Sequence, residues 1–202
     1  MNSGENKRNE TPKTGPTKVN PPVRVHLGSG VLTGDRVQSV VRIMADMKGV
    51  YRDEELRKSL DQQAVVYRVQ TFYPVVEDEE GGLFWGTTFL QPGLVGDEYF
   101  MTKGHYHAKP SRGEFYLTLF GNGALILMDE KHHTVFEPMS AGTLHYVPGH
   151  TAHRVANTGD QVLTFLACWP SDAGHDYETI SRQGFSARLR KMRGVPVLVE
   201  EP

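Results

Sequence analysis

Between Ala64 and Pro170 the chain breaks into short apolar or alternating runs: AVVYRVQTFY, LFWGTTFL, EYFMTKGHYH, EFYLTLF, GALILM, TVFEPM, TLHYVP, HRVAN and VLTFLACW. Gly, Pro, Asn and Asp separate them. A parallel α/β architecture needs a helix between successive strands, and no segment in this interval is long enough to supply one. The pattern predicts an all-β sandwich or barrel with a few flanking helices. Upstream, Val37, Val40, Val41 and Met44 follow an i, i+3, i+4, i+7 stripe, so an amphipathic helix is expected from Asp35 to Lys48, with Gly49 at its C-cap. A second, weaker helix is expected over Arg52 to Leu60. A last one runs from Tyr177 to about Met192 and precedes a final strand, VPVLVE.

Residues 1–22 are nearly free of apolar side chains and contain Pro12, Pro16, Pro21 and Pro22. Such a segment cannot bury enough surface to offset its ordering entropy, so it reads as a disordered tail ahead of one domain over 23–202. With 22 Lys+Arg against 24 Asp+Glu, the chain carries a formal charge of −2. That balance gives no general pull toward nucleic acid or an anionic membrane. Cys168 is the only cysteine, the opening residues lack the apolar stretch of a signal peptide, and no run approaches the roughly 20 apolar residues of a membrane span. A cytoplasmic protein is expected.

His105-Tyr106-His107 falls in a predicted strand, Glu114 opens the next, and His153 follows a Gly- and Pro-rich turn. Side chains alternate faces along a strand, so His105 and His107 point the same way with Cα atoms roughly 6.5–7 Å apart. Two imidazoles at that spacing can converge on one ion. Glu114 shares its face with Tyr116 and Thr118, whereas Phe115, Leu117 and Leu119 take the other. A polar face turned inward suits a barrel that holds a ligand. By itself an H-x-H pair more often marks exposed or hydrogen-bonded histidines than a metal site. The wider spacing shifts the balance: Gly121 lies seven residues beyond Glu114, and Gly142, Pro148, His153 and Asn157 read G-x5-P-x4-H-x3-N.

Over about residues 99–160 this pattern resembles the two signature motifs of the cupin superfamily, jelly-roll-like β-barrels that commonly hold a metal on three His and one Glu. Tyr99 and His150 stand where those motifs carry Gly, and six residues separate His107 from Glu114. The strings PGLVGDEYFMTKGH, TKGHYHAKPSRGEFYLTLFGNGALILM and PGHTAHRVANTGDQVLTFLACWPSDAGHDYETI resemble the cupin-type phosphoglucose isomerases from about Gly49 to Gly184. The resemblance implies an aldose–ketose isomerase that interconverts glucose 6-phosphate and fructose 6-phosphate and forms a homodimer. It places a divalent metal on His105, His107, Glu114 and His153. It assigns the phosphate to Thr88 and Thr102 with the Gly104 N–H, in place of an arginine cluster. Tyr116, His175 and Tyr177 match further site positions, and Trp169 stands where the family has Tyr.

Three nitrogen donors and one carboxylate suit Fe(II), placed first, or Mn(II), Ni(II), Co(II) or Zn(II). Glu114 is the candidate base between C1 and C2, with His175 and Tyr177 as the other catalytic candidates. No dinucleotide fingerprint or other organic-cofactor signature is present. A dioxygenase-like cupin and a non-catalytic sugar-phosphate-binding cupin stay open as alternatives. His132 and His133 read as an exposed hairpin turn, His145 and His150 as structural, Cys168 as buried, and Glu77 to Glu80 as a solvated loop.

Overall fold

The computed structural model describes residues 22–201. The expected tail therefore lies outside the described residues except for Pro22, which is exposed. The strands are β1 (Arg24–Val25), β2 (Leu32–Thr33), β3 (Val37–Ile43), β4 (Val65–Phe72), β5 (Leu83–Leu90), β6 (Leu94–Val95), β7 (Glu98–Tyr99), β8 (Glu114–Phe120), β9 (Asn122–Met128), β10 (Thr134–Ser140), β11 (Leu144–Val147), β12 (Ala152–Asn157), β13 (Leu163–Pro170), β14 (Ala187–Met192) and β15 (Val195–Glu200). Helix α1 (Glu54–Ser59) lies between β3 and β4, and α2 (Tyr177–Gln183) between β13 and β14. The fold is the all-β, jelly-roll-like barrel that the strand spacing predicts, with no helix between β4 and β13.

All strand pairs are antiparallel. A six-stranded sheet runs in the order β11-β8-β13-β5-β4-β3, and β10-β9-β12 forms a three-stranded sheet. A third sheet, β15-β14-β7-β6, joins the C-terminal hairpin to the barrel. β12 is buried at every residue and β9 at all but Asn122. Strands buried on both faces need continuous apolar sequence, which GALILM supplies. The core between the sheets is built on Leu90, Leu125, Met128, Val155, Leu163 and Phe165. Gly121 makes the β8–β9 turn at φ +79, and a Cβ there would meet the Val162 carbonyl at 2.8 Å, so only glycine fits.

Two helical expectations need correction. Residues 37–43 form strand β3, followed by a short 3-10 turn at Met44–Met47. The stripe of valines fits either period. Pairing along β4, from Val37 opposite Phe72 to Ile43 opposite Val65, satisfies the backbone and suits the β-branched residues. α2 ends at Gln183 and does not continue to Met192, because Gly184 takes φ +71 and Ala187 and Leu189 then alternate inward along β14. The helix at 54–59 and the strand at VPVLVE form as expected. Asp53 caps α1 by accepting from the Leu56 N–H at 2.8 Å. Among the described residues no helix is long and apolar enough to cross a membrane.

Candidate metal centre and adjoining chamber

His105-Tyr106-His107 lies in extended chain outside any regular strand. Isolated bridges pair His105 with His153 and Tyr106 with Asp176. The ladder beside β12 is interrupted at Thr102: the Thr102 N–H reaches the Val155 carbonyl at 2.8 Å, but the Val155 N–H is taken at 3.0 Å by the threonine hydroxyl. This segment nonetheless sets the first two histidines against His153 on β12. The turn of residues 108–113 carries the chain back to Glu114 at the start of β8, and Arg112 closes it with its N–H on the Lys109 carbonyl at 3.0 Å.

The ligand atoms of His105, His107, Glu114 and His153 all lie within 4.8 Å of one another. Glu114 Oε2 is 3.1 Å from His153 Nε2 and 3.4 Å from His107 Nε2, so the six-residue spacing does not displace the carboxylate. Both ring nitrogens of His105 and Nε2 of His153 are buried with no hydrogen-bond partner. Buried orphaned nitrogens are costly unless something fills the space they face, and four converging donors fit a divalent cation. His107 Nδ1 donates to the Arg112 carbonyl at 2.8 Å, which leaves the lone pair of Nε2 facing the cluster. Burial, then the neighbouring imidazoles of His153, His175 and His107, hold His105 well below the usual histidine value. For Glu114, burial favours the neutral acid, but His107 and His153 outweigh it and lower the carboxyl to about 2. Glu114 is therefore held as the carboxylate and His105 as the neutral imidazole, the forms that bind metal, while for His107 burial is outweighed by its contacts with Glu114 and the Arg112 carbonyl, which raise its pKa.

A chamber of about 230 Å³ opens from this cluster. Its floor is the inner face of the six-stranded sheet, and period-2 alternation selects the residues: Gln38, Val40 and Arg42 from β3, Tyr67, Val69 and Thr71 from β4, Gly86 and Thr88 from β5, Glu114 and Tyr116 from β8, and Phe165, Ala167 and Trp169 from β13. Thr102, Lys103, His105, His175 and Tyr177 close the other side. Glu114, Tyr116 and Thr118 are buried while Phe115 is 50% exposed, so the polar face points inward. The Tyr116 hydroxyl donates to Glu114 Oε2 at 3.3 Å, and burial followed by that negative charge pushes its pKa well above the usual phenol value. His175 and Tyr177 stack at 5.5 Å and 2°, with the His175 ring 4.6 Å from His105.

Of the predicted site residues, Gly104 alone faces elsewhere: it lines an adjoining cavity. Sequence reasoning missed Tyr67, Arg42 and Lys103. The last two set cations beside the threonines, where hydroxyls and a backbone N–H were expected to suffice. Period-2 alternation on β3 and β4 was the signal for Arg42 and Tyr67. Cys168 is half-buried and not buried as expected, since it takes the outer face of β13. His132 and His133 are exposed beside the β9–β10 turn, and Glu77 to Glu80 lie exposed between β4 and β5. His145 hydrogen-bonds Glu137 at 2.7 Å and Thr143 at 2.8 Å, which is a structural role.

Residues 41–196 match the family described as glucose-6-phosphate isomerase (GPI). A glucose-6-phosphate isomerase of Pyrococcus horikoshii is 44% identical over 183 residues, covering 89% of this chain and 94% of the relative. One from Pyrococcus abyssi is 42% identical over 182 residues with the same coverage. Among solved structures, oxalate decarboxylase from Bacillus subtilis at pH 4.6 aligns with 54% of this chain at 22% identity and a TM-score of 0.43, and the chain spans about a quarter (26%) of that structure.

Proposed function

The chain belongs to the glucose-6-phosphate isomerase family, and from that membership we propose that it is an aldose–ketose isomerase working on glucose 6-phosphate and fructose 6-phosphate in the chamber beside His105, His107, Glu114 and His153. The observation that carries the reading is the position of Glu114. It stands in the donor cluster and on the wall of the chamber, where a sugar carbon can reach it. His105, His107, Glu114 and His153 would hold a divalent ion, which when bound would supply Lewis-acid stabilisation for the oxyanion that forms as hydrogen moves between C1 and C2. Three imidazoles and a carboxylate suit Fe(II) first, then Mn(II), Ni(II), Co(II) or Zn(II).

The carboxylate of Glu114 takes the proton from one carbon and returns it to the other. Tyr116 stays protonated throughout and steadies Oε2 by donating to it. Thr88 and Thr102 hold the phosphate at the far end of the chamber. Burial brings the pKa of His175 down, so its neutral ring accepts the proton of the anomeric hydroxyl and passes it to the ring oxygen as the bond between that oxygen and the anomeric carbon breaks and the sugar opens. Tyr177 stacks on that ring and fixes its plane. Trp169 packs edge-on against Phe84 at 6.1 Å and walls the chamber with an indole, which donates a hydrogen bond and accepts none.

The same reading makes the enzyme a cytoplasmic homodimer. A lone cysteine suits a reducing compartment. Among the described residues β3 is an edge strand of the six-stranded sheet, and its exposed Val41 supports pairing with a second copy. A coupled assay for glucose 6-phosphate formed from fructose 6-phosphate tests the function, run before chelation, after it, and after metal is restored. Turnover that chelation abolishes and divalent metal restores is the expected result. Tight sugar-phosphate binding without turnover would favour a sensor.

A further inference from the structure

Next to the chamber lies a second cavity of about 270 Å³, which shares only Arg42, Lys103 and Tyr177 with it. Five cations line it, Arg42, Lys48, Lys103, Arg154 and Arg188, and no Asp or Glu does. Arg188 is neutralised from behind: its Nη1 donates to Glu98 Oε1 at 2.8 Å and to the Val50 carbonyl at 3.2 Å. Arg154 is not. It is 7% exposed, its Nη1 meets only the Met101 sulfur at 3.0 Å, its guanidinium lies 3.8 Å over the Phe185 ring, and its buried Nε has no hydrogen-bond partner. Among the described residues it makes no ion pair.

A buried guanidinium with no carboxylate in contact is costly; Glu98, already paired with Arg188, acts on Arg154 only at longer range, and the other charges that line the cavity share its sign. Gly104 sits between them. A Cβ at that position would collide with the Phe185 ring and lie 3.4 Å from Arg154 Nε, so glycine keeps the backbone thin enough for the cation to be felt in the cavity. We propose that this cavity is an anion site that takes a phosphate dianion, held by Lys48 at its exposed rim, Lys103 at its boundary with the chamber and Arg154 at its base. Guanidinium and ammonium groups together favour a multiply charged oxyanion over a carboxylate. The phosphate is that of a second phosphate compound, since the proposed function gives the substrate's own phosphate to Thr88 and Thr102 in the chamber. Only that choice of source rests on the isomerase reading.

The test is calorimetric titration of inorganic phosphate into the metal-loaded protein, with Lys48→Glu and Arg154→Met alongside. Lys48 is exposed, so its variant keeps the question answerable if Arg154→Met does not fold. The expected result is saturable binding to the wild-type protein, weakened at least about tenfold in Lys48→Glu with an unchanged melting profile. No binding to the wild type, or wild-type affinity in Lys48→Glu, overturns the site. Saturating fructose 6-phosphate separates the sources. Phosphate binding that persists beside the sugar supports a second molecule; displacement of that phosphate by the sugar, with a raised KM in Lys48→Glu, overturns it and gives the cavity to the substrate. An inactive wild-type enzyme would sink the isomerase reading and leave the titration result standing.

Discussion

If Thr102 holds the phosphate as proposed, it has two duties that one substitution exposes together. Its hydroxyl oxygen accepts the Val155 N–H at 3.0 Å, which leaves the hydroxyl proton free to point into the chamber. Replacing Thr102 by Ala removes a donor to a charged phosphate, worth about 1.5–3 kcal/mol. At about 1.4 kcal/mol per decade, KM for fructose 6-phosphate should rise about 12- to 140-fold, with kcat changed much less if the contact is equal in ground and transition states. The same change strands the Val155 N–H beside the buried strand β12, at a cost of about 1–3 kcal/mol. For a domain of this size each kcal/mol moves Tm by about 2–4 °C. Thr102→Ser keeps the hydroxyl and should retain most of both properties. Initial rates in the coupled assay and a thermal melt read the two effects separately. A wild-type KM in Thr102→Ala would refute the phosphate role, and a lost kcat with KM intact would move Thr102 to the reacting carbons.

Glu114→Gln keeps an oxygen donor but cannot accept a proton, so turnover should vanish while elemental analysis still finds most of the metal; activity regained with excess metal would reduce Glu114 to a ligand. In deuterated water the wild-type enzyme should place label at C1 or C2, read by NMR of the product, whereas a direct hydride transfer would leave none. Asp172 accepts from Arg112 at 2.8 and 2.6 Å and from Lys109 at 3.0 Å, and those hydrogen bonds hold its carboxyl well below the usual range. Because the folded value is depressed, the resulting stability is present above the ordinary carboxylate value near 4 and is lost as pH falls below it. Urea midpoints of wild type and Asp172→Asn should differ by a constant amount from pH 7 down to about pH 4 and draw together only below it, as pH falls toward the depressed folded value; a gap that does not narrow below about pH 4 would contradict the linkage. His150 takes φ +60, where the cupin motif carries Gly, and its exposed contact with Glu130 at 3.0 Å contributes little. His150→Gly should leave stability unchanged or raise it by up to about 1 kcal/mol in denaturant unfolding, and a clear loss would show that Glu130 matters.

The barrel was legible because its strands are short, regularly spaced and punctuated by turn residues, and the donor cluster because an H-x-H pair and a distant His occupy fixed places in that spacing. The chamber wall was only half legible. Period 2 shows that Tyr67, Val69 and Thr71 share a face of β4, but which face turns inward depends on pairing with β5, where Val69 lies opposite Thr88. Lys103 and Arg154 were invisible for a different reason. Each belongs to the cavity through a contact made across the fold, Lys103 through its N–H on the Tyr67 hydroxyl at 3.5 Å and Arg154 through Phe185, thirty-one residues onward.

The misassigned segment at 37–43 shows why the period matters to function. On a helix, Arg42 would share a face with Gln38 and Ser39 and point away from Val40. On β3 the alternation aligns Gln38, Val40 and Arg42 along the chamber, and Arg42 also reaches the adjoining cavity. The sheet then separates charge by strand position. The donor cluster sits where β8 and β12 begin, while the cations gather beyond Thr88 and Thr102, on β3 and the 103–104 segment. Had a cation stood at Thr88, in mid-sheet between Val69 and Phe165, it would repel a metal ion with little water to screen it. On the proposed reading, Thr88 and Thr102 keep the wall neutral between the donor cluster and the cations, so that one chamber can take a metal ion on the cluster and a phosphate on those hydroxyls.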